Sequence, residues 1–236
     1  LEPLGNYVEL LQRPPRVFYF TVEELEYPRE RWPESFRLVG PSRWEPPAEV
    51  PDWLEEIERP IALVTISTER QGDRDLIATA LRTLPQQGYY VVATTAAYAP
   101  DEFGGNANSG YRVERFVPHG PIIGRADVVI CHGGMGITQR ALAQGVPVVV
   151  VPFGRDQPDV ARRVEHAGAG VRLLPKDLSE DALVAAVRKA QSMRDGAARI
   201  AKAFAGAGGD AAIVKGVEEL LGECADPQPV AVRIED

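Results

Sequence analysis

Cysteine, methionine and histidine are scarce in this chain, whose 236 residues include two Cys, two Met and three His. Cys131 and Cys224 lie far apart, which leaves no disulfide framework, and no His/Cys spacing suits a metal cage. Cys131 reads as a buried strand residue, and a reducing, cytoplasmic location is expected. Positive charge is in the minority, with 26 Lys+Arg against 34 Asp+Glu for a net charge of −8. A field of that sign repels nucleic acid and anionic membranes, so neither is expected as a partner, and any phosphate must be held by a local device. The longest apolar run, Val146 to Phe153, is too short to span a bilayer. No G-x-x-x-x-G-K-[ST] occurs, which excludes a P-loop NTPase at the level of motif. No D-x-D carboxylate cluster is anticipated, so no metal and no cofactor is expected. The opening LEPLGNYVEL has neither Met nor a basic stretch, and the chain reads as a fragment of a longer protein.

From Ile61 onward the sequence alternates strand and helix signals, predicting an α/β fold with a Rossmann-like parallel sheet and helices on both faces. The expected strands are Ile61–Ser67, Tyr89–Thr94, Tyr111–Val117, Val128–Cys131, Pro147–Val151 and Val171–Leu174. Their nearly continuous apolar runs suit strands covered on both sides. Helices are predicted over Asp73–Leu84, Ile137–Gln144, Pro158–Ala167 and Glu180–Gln191, the last opened by a Ser179 cap, with two more after Arg194 and Asp210. Upstream, Leu1–Leu11 suggests a short helix, while Arg16–Thr21 and Phe36–Pro41 suggest extended pieces. The proline-rich stretch from Pro41 to Pro60 reads as a linker with a brief helix near Asp52–Glu58. Asp226–Asp236 reads as a frayed tail.

Ligands of open parallel sheets sit at the carboxyl ends of strands, and three strand ends here carry unusual residues. In VVICHGGMGITQRALAQG, residues 128–145, a strand ends at Cys131, His132 follows, and Gly133, Gly134 and Gly136 precede a helix. Such glycines let backbone approach an anion, and Thr138 adds a hydroxyl, which is the pattern of a diphosphate site. The alternative is a Gly-rich turn with His132 bonded to backbone. A dinucleotide G-x-G-x-x-G fails here because its third position is Gln139. In PFGRDQPD, Asp156 and Gln157 offer acceptors and donors suited to sugar hydroxyls, unless Asp156 merely caps the next helix. Arg155 beside them reads as a diphosphate contact or a solvated side chain. In RFVPHG, Phe116 offers an aromatic face to a base, unless it is core. Met135 reads as packing from a loop, and His166 as a surface or C-terminal-turn residue of a helix.

Taken in order, RFVPHG…HGGMGITQRALAQGVPVVVVPFGRDQ resembles the donor-binding signature of family 1 glycosyltransferases with the GT-B fold. It is similar in particular to actinobacterial enzymes that attach deoxysugars to natural products, over most of Ile61 to Leu221. The resemblance implies that residues 1–40 are the end of an N-terminal acceptor domain, 41–59 an interdomain linker, 60–224 a nucleotide-sugar-binding domain and 225–236 a flexible tail. It places His132, Gly134, Gly136, Ile137 and Thr138 on the donor diphosphate, with Ser67 and Thr68 on the closing loop. Phe116 and the Val117 backbone fall on the nucleobase, and Asp156 and Gln157 on the sugar. Glu69-Arg70 departs from the usual loop glycine, and Arg140 stands where plant members carry a Glu for the ribose.

The function implied is the donor half of an inverting, metal-independent transfer of a (deoxy)hexose from a TDP- or UDP-sugar to a hydroxyl of a small-molecule acceptor. No catalytic base is expected in this chain, because the family draws it from the N-terminal domain. Two alternatives stay open, a non-catalytic nucleotide-sugar-binding subunit that needs a separate acceptor chain, and a GT-B-type epimerase.

Overall fold

The computed structural model describes residues 13–42, 44–45, 49–104 and 110–225. The expected Leu1–Leu11 helix and the tail from Asp226 lie outside them. Two short strands, β1 (Val17–Tyr19) and β2 (Phe36–Leu38), pair in parallel at the start. A one-turn helix, α1 (Asp52–Glu55), follows the proline-rich stretch.

The central sheet contains β3 (Ile61–Thr65), β4 (Tyr90–Thr94), β5 (Tyr111–Glu114), β6 (Ala126–Cys131), β7 (Val148–Val150) and β8 (Gly170–Arg172). All pairings are parallel, in the spatial order β5-β4-β3-β6-β7-β8. The helices are α2 (Arg74–Thr83), α3 (His119–Ile123), α4 (Met135–Ala143), α5 (Gln157–His166), α6 (Glu180–Gln191), α7 (Arg194–Gly206) and α8 (Gly209–Ala225). Strand alternation sends side chains to both faces. Ile61, Leu63, Val129, Cys131, Val148 and Val150 pack with Ile122, Leu142, Val164 and Ile200 of α3, α4, α5 and α7. Ala62, Val64, Val128, Ile130 and Val149 pack with Leu76 and Ile77 of α2 and Leu183 and Val187 of α6. Each fully buried Leu or Ile contributes roughly 1.5–3 kcal/mol relative to exposure, so this two-sided core holds the sheet. Among the described residues no helix is long and apolar enough to cross a membrane.

The six expected strands and their parallel arrangement are found, with local corrections. β5 stops at Glu114 rather than Val117, because Pro118 follows within a few residues and lacks a ladder N–H. Phe116 and Val117 are therefore loop residues. The helix α3 has only five residues, too few to show a period in the sequence. The next helix, α4, begins at Met135 instead of Ile137, so Met135 sits in a helical first turn and not in a loop. The low helix propensity of Gly136 hides that start. At α6 the Ser179 cap is present, its Oγ accepting from the Ala182 N–H at 3.2 Å.

Residues 13–42 pack on the same body as the sheet. Val22 and Leu25 belong to the core around Leu142 and Phe204. Glu26, 3% exposed, accepts from Thr21 Oγ1 at 2.9 Å and pairs with Arg163 of α5 at 3.2 Å. Gln139 of α4 donates its side-chain amide to the Phe20 carbonyl.

Candidate functional site

Strand order reverses between β3 and β6, and the register Thr65↔Cys131 brings Ile66-Ser67 and His132-Gly133 out side by side. The following helices leave toward opposite faces, α2 to one core cluster and α4 to the other, which opens a crevice at the switch point.

The turn after β6 is built for close approach. Gly133 has φ +95°, and a Cβ there would stand 2.7 Å from Val150 Cγ1 and 3.2 Å from Gln157 Cβ. A Cβ on Gly134 would meet His132 Nε2 at 2.7 Å, so the imidazole lies against the turn. At Gly136, by contrast, a Cβ would meet nothing within 4 Å. The first intrahelical bond of α4 runs from the Thr138 N–H to the Gly134 carbonyl at 3.2 Å. The N–H groups of Met135, Gly136 and Ile137 precede it, at the positive end of the helix dipole. Burial pulls the His132 pKa below the usual histidine value, opposed by Asp73, the Thr65 backbone and Asp156. A shift in that direction favours the neutral ring near pH 7, while a nearby anion would favour its charged form.

Thr138, expected on the diphosphate, turns its hydroxyl inward. Its side chain is fully buried, and its hydroxyl donates to the Gly134 carbonyl at 2.9 Å, with Cys131 Sγ 3.7 Å away. In this rotamer the hydroxyl proton is spent on the preceding turn and is not offered to the crevice. Cys131 is buried as expected, with its thiol pKa raised by burial.

The loop after β3 folds around Ser67. Its N–H donates to Asp73 Oδ2 at 2.8 Å, and its Oγ accepts from the Glu69 N–H at 3.2 Å and from Gln71 Nε2 at 2.9 Å. Ser67 is buried and Thr68 exposed. Asp73-Arg74-Asp75 carries D-x-D spacing, contrary to the expectation that the chain holds none. The structure separates the two carboxylates, with Asp73 fully buried in the loop and Asp75 exposed on α2.

Across the crevice, Gln157 Oε1 accepts from the N–H groups of Phe153 and Gly154 at 2.8 and 3.0 Å, and its Nε2 donates to Gln71 Oε1 at 2.7 Å. The side chain of Gln157, 2% exposed, thus braces two loops. Asp156 is exposed and makes no side-chain cap on α5, which removes the capping alternative. Arg155, with φ +56°, is exposed to solvent and paired with Glu69. Phe116 is 70% exposed, so it is not core. His166 ends α5 against the Tyr27 ring, 5.2 Å between centroids, outside the crevice. Arg140 pairs at 3.1 Å with Glu45, an acid delivered from the proline-rich stretch. Neither Glu45 nor Gln71 stands out in the sequence, since each acts across a long separation and belongs to no periodic pattern.

Residues 88–220 match the family described as erythromycin biosynthesis protein CIII-like, C-terminal domain. The chain belongs to this family. It is 36% identical over 188 residues to 4'-demethylrebeccamycin synthase of Lentzea aerocolonigenes, covering 78% of this chain and 44% of that protein. The calicheamicin glycosyltransferase CalG4 aligns with a TM-score of 0.75 at 23% identity, over 94% of this chain and 58% of that one. SsfS6, a glycosyltransferase of Streptomyces sp. SF2575 solved with thymidine diphosphate, aligns with a TM-score of 0.63 at 27% identity, over 87% and 52% of the two chains. The fold of this family member, a Rossmann-like parallel sheet with helices on both faces, is the one found in CalG4. The chain spans about half the length of the relatives it matches.

Proposed function

We propose that this chain is the donor-binding part of an inverting glycosyltransferase that moves a (deoxy)hexose from a TDP- or UDP-sugar to a hydroxyl of a natural-product acceptor. The observation that carries the reading is the open first turn of α4 at the switch point, roofed by no side chain at Gly136 and flanked by the His132 ring. An acidic protein needs a local positive feature to hold a diphosphate, and the N-terminus of α4 supplies one. Charge that develops on the leaving diphosphate meets this dipole and the His132 ring, positioned in advance, so the reading needs no cation. Phe116 stands ready for the base, with the Val117 backbone beside it. Asp156 is the exposed acceptor for sugar hydroxyls, while Gln157 contributes through the second hydrogen of its amide or by holding the loop. Ser67 shapes the phosphate loop, with Thr68 at its exposed tip.

Relatives solved with thymidine diphosphate favour a TDP-sugar donor. Transfer requires an acceptor hydroxyl and a base within hydrogen-bond reach, and this reading assigns both to an N-terminal domain outside the chain. The test is calorimetric titration with TDP, UDP and inorganic phosphate, followed by an assay with a TDP-sugar and hydroxylated acceptors. Saturable TDP binding without transfer is expected. Absence of TDP binding refutes the donor site, and transfer by this chain alone refutes the missing base.

A further inference from the structure

Two side-chain bridges cross the mouth of the crevice. The loop after β3 contributes Glu69 and Gln71, and the loop after β7 contributes Arg155 and Gln157. Glu69 pairs with Arg155, and Gln157 donates to Gln71. Because β6 lies between β3 and β7 in the sheet, both bridges pass over the His132-Gly133 turn that follows β6.

The two bridges differ in kind. Gln157 is buried and committed to three partners. Arg155 and Glu69 stand in solvent, 60% and 64% exposed, where an ion pair is weak and exchanges easily. The backbone beneath Arg155 is nevertheless set, in the left-handed region at φ +56° with the Gln157 amide pinning the two residues before it. Its guanidinium therefore projects from a fixed base, while its counter-ion sits on a different loop. Arg70, the other cation of these loops, lies over the Tyr98 ring at 5.0 Å. A guanidinium fork accepts a carboxylate or a phosphate with the same geometry.

We infer that Arg155 is a further diphosphate-binding residue and that Glu69 is its resting counter-ion, displaced when the donor diphosphate enters. This rests on the donor-site reading above. Glu69 then acts as an internal competitor that lowers affinity for the donor and releases Arg155 only to an anion seated on the α4 turn.

The experiment titrates the chain with TDP and, separately, with inorganic pyrophosphate, which needs no base pocket. The variants are Glu69→Gln, Arg155→Gln and the double substitution. Removing the competitor should tighten both ligands roughly three- to fivefold, and removing the guanidinium should weaken both about tenfold or more. In the Arg155→Gln background, Glu69→Gln should have no further effect. An equal gain in both backgrounds would mean that Glu69 acts only by general repulsion, and unchanged affinity in Arg155→Gln would remove Arg155 from the site; either result overturns the inference while leaving the donor site intact. If neither ligand binds the wild type, the donor-site reading and this inference fall together.

Discussion

Acidification should destabilise this protein through His119. The residue opens α3, and its Nε2 lies 3.1 Å from Thr94 Oγ1. Burial, reinforced by the Arg140 guanidinium, lowers its pKa from 6.5 to about 4. The sign follows from linkage. Between those values the unfolded chain carries the proton and the folded chain does not, so stability is fully present above 6.5 and is lost as pH falls toward 4. With about 1.4 kcal/mol for each pH unit crossed, the full interval is worth on the order of 3 kcal/mol. Urea denaturation between about pH 7 and about pH 4.5, on the wild type and on His119→Gln, isolates the effect. Carboxylate titration acts on both proteins alike, so the difference between their slopes belongs to His119. The variant should start less stable near neutrality and converge on the wild type in acid. Parallel stability profiles would refute a neutral, half-buried His119.

Three further outcomes test the site and its support. Gly136→Ala adds a methyl where nothing lies within 4 Å, so the helix should gain about 0.5–1 kcal/mol while TDP affinity falls, and a variant that binds TDP as well as the wild type refutes the assignment of that space to the ligand. Gly133→Ala combines φ +95° with a 2.7 Å approach to Val150 Cγ1 and should cost about 1–2 kcal/mol for the conformation plus about 1–3 for overpacking; an unchanged denaturation midpoint contradicts it. Glu26→Gln leaves Arg163 without its charge partner and should cost about 3 kcal/mol by denaturation, and a loss below about 0.5 kcal/mol would show the pair to be solvated.

How much of this was legible in the sequence depends on range. Strands such as Ile61–Thr65 and Ala126–Cys131 declare themselves because both faces are buried and, apart from Asp127 near the start of the second, the positions are apolar or small. The order strand, His132, glycines, helix marks the strand end that borders the crevice, because glycines there let the backbone turn tightly and leave the helix N-terminus open. Direction is harder to read. Whether Thr138 turns outward or bonds back to Gly134 depends on the rotamer, which the pattern does not encode. The bridges Glu69–Arg155 and Gln71–Gln157 span 86 residues, and no local rule relates residues so separated. Glu45 is hidden for a different reason, because a proline-rich stretch has no period to reveal which of its acids folds back onto Arg140.

The physical unit that holds the site is larger than the region that matches the family. That region begins at residue 88, just before β4. The strand β3 comes earlier in the chain, yet it lies at the centre of the sheet between β4 and β6, and the loop after it forms one wall of the crevice. A sheet built from residue 88 onward would have a gap where the switch point should be. The same reasoning reaches further back. Gln139 of α4 is held by the Phe20 carbonyl, and Arg163 of α5 by Glu26, so the segment before the proline-rich stretch braces the two helices whose N-termini border the crevice. Val22 and Leu25 add apolar burial to those polar ties. Any shift of this segment is therefore transmitted to α4 and α5 through a buried ion pair and a buried amide, and the geometry of the crevice depends on residues more than a hundred positions away from it in the chain.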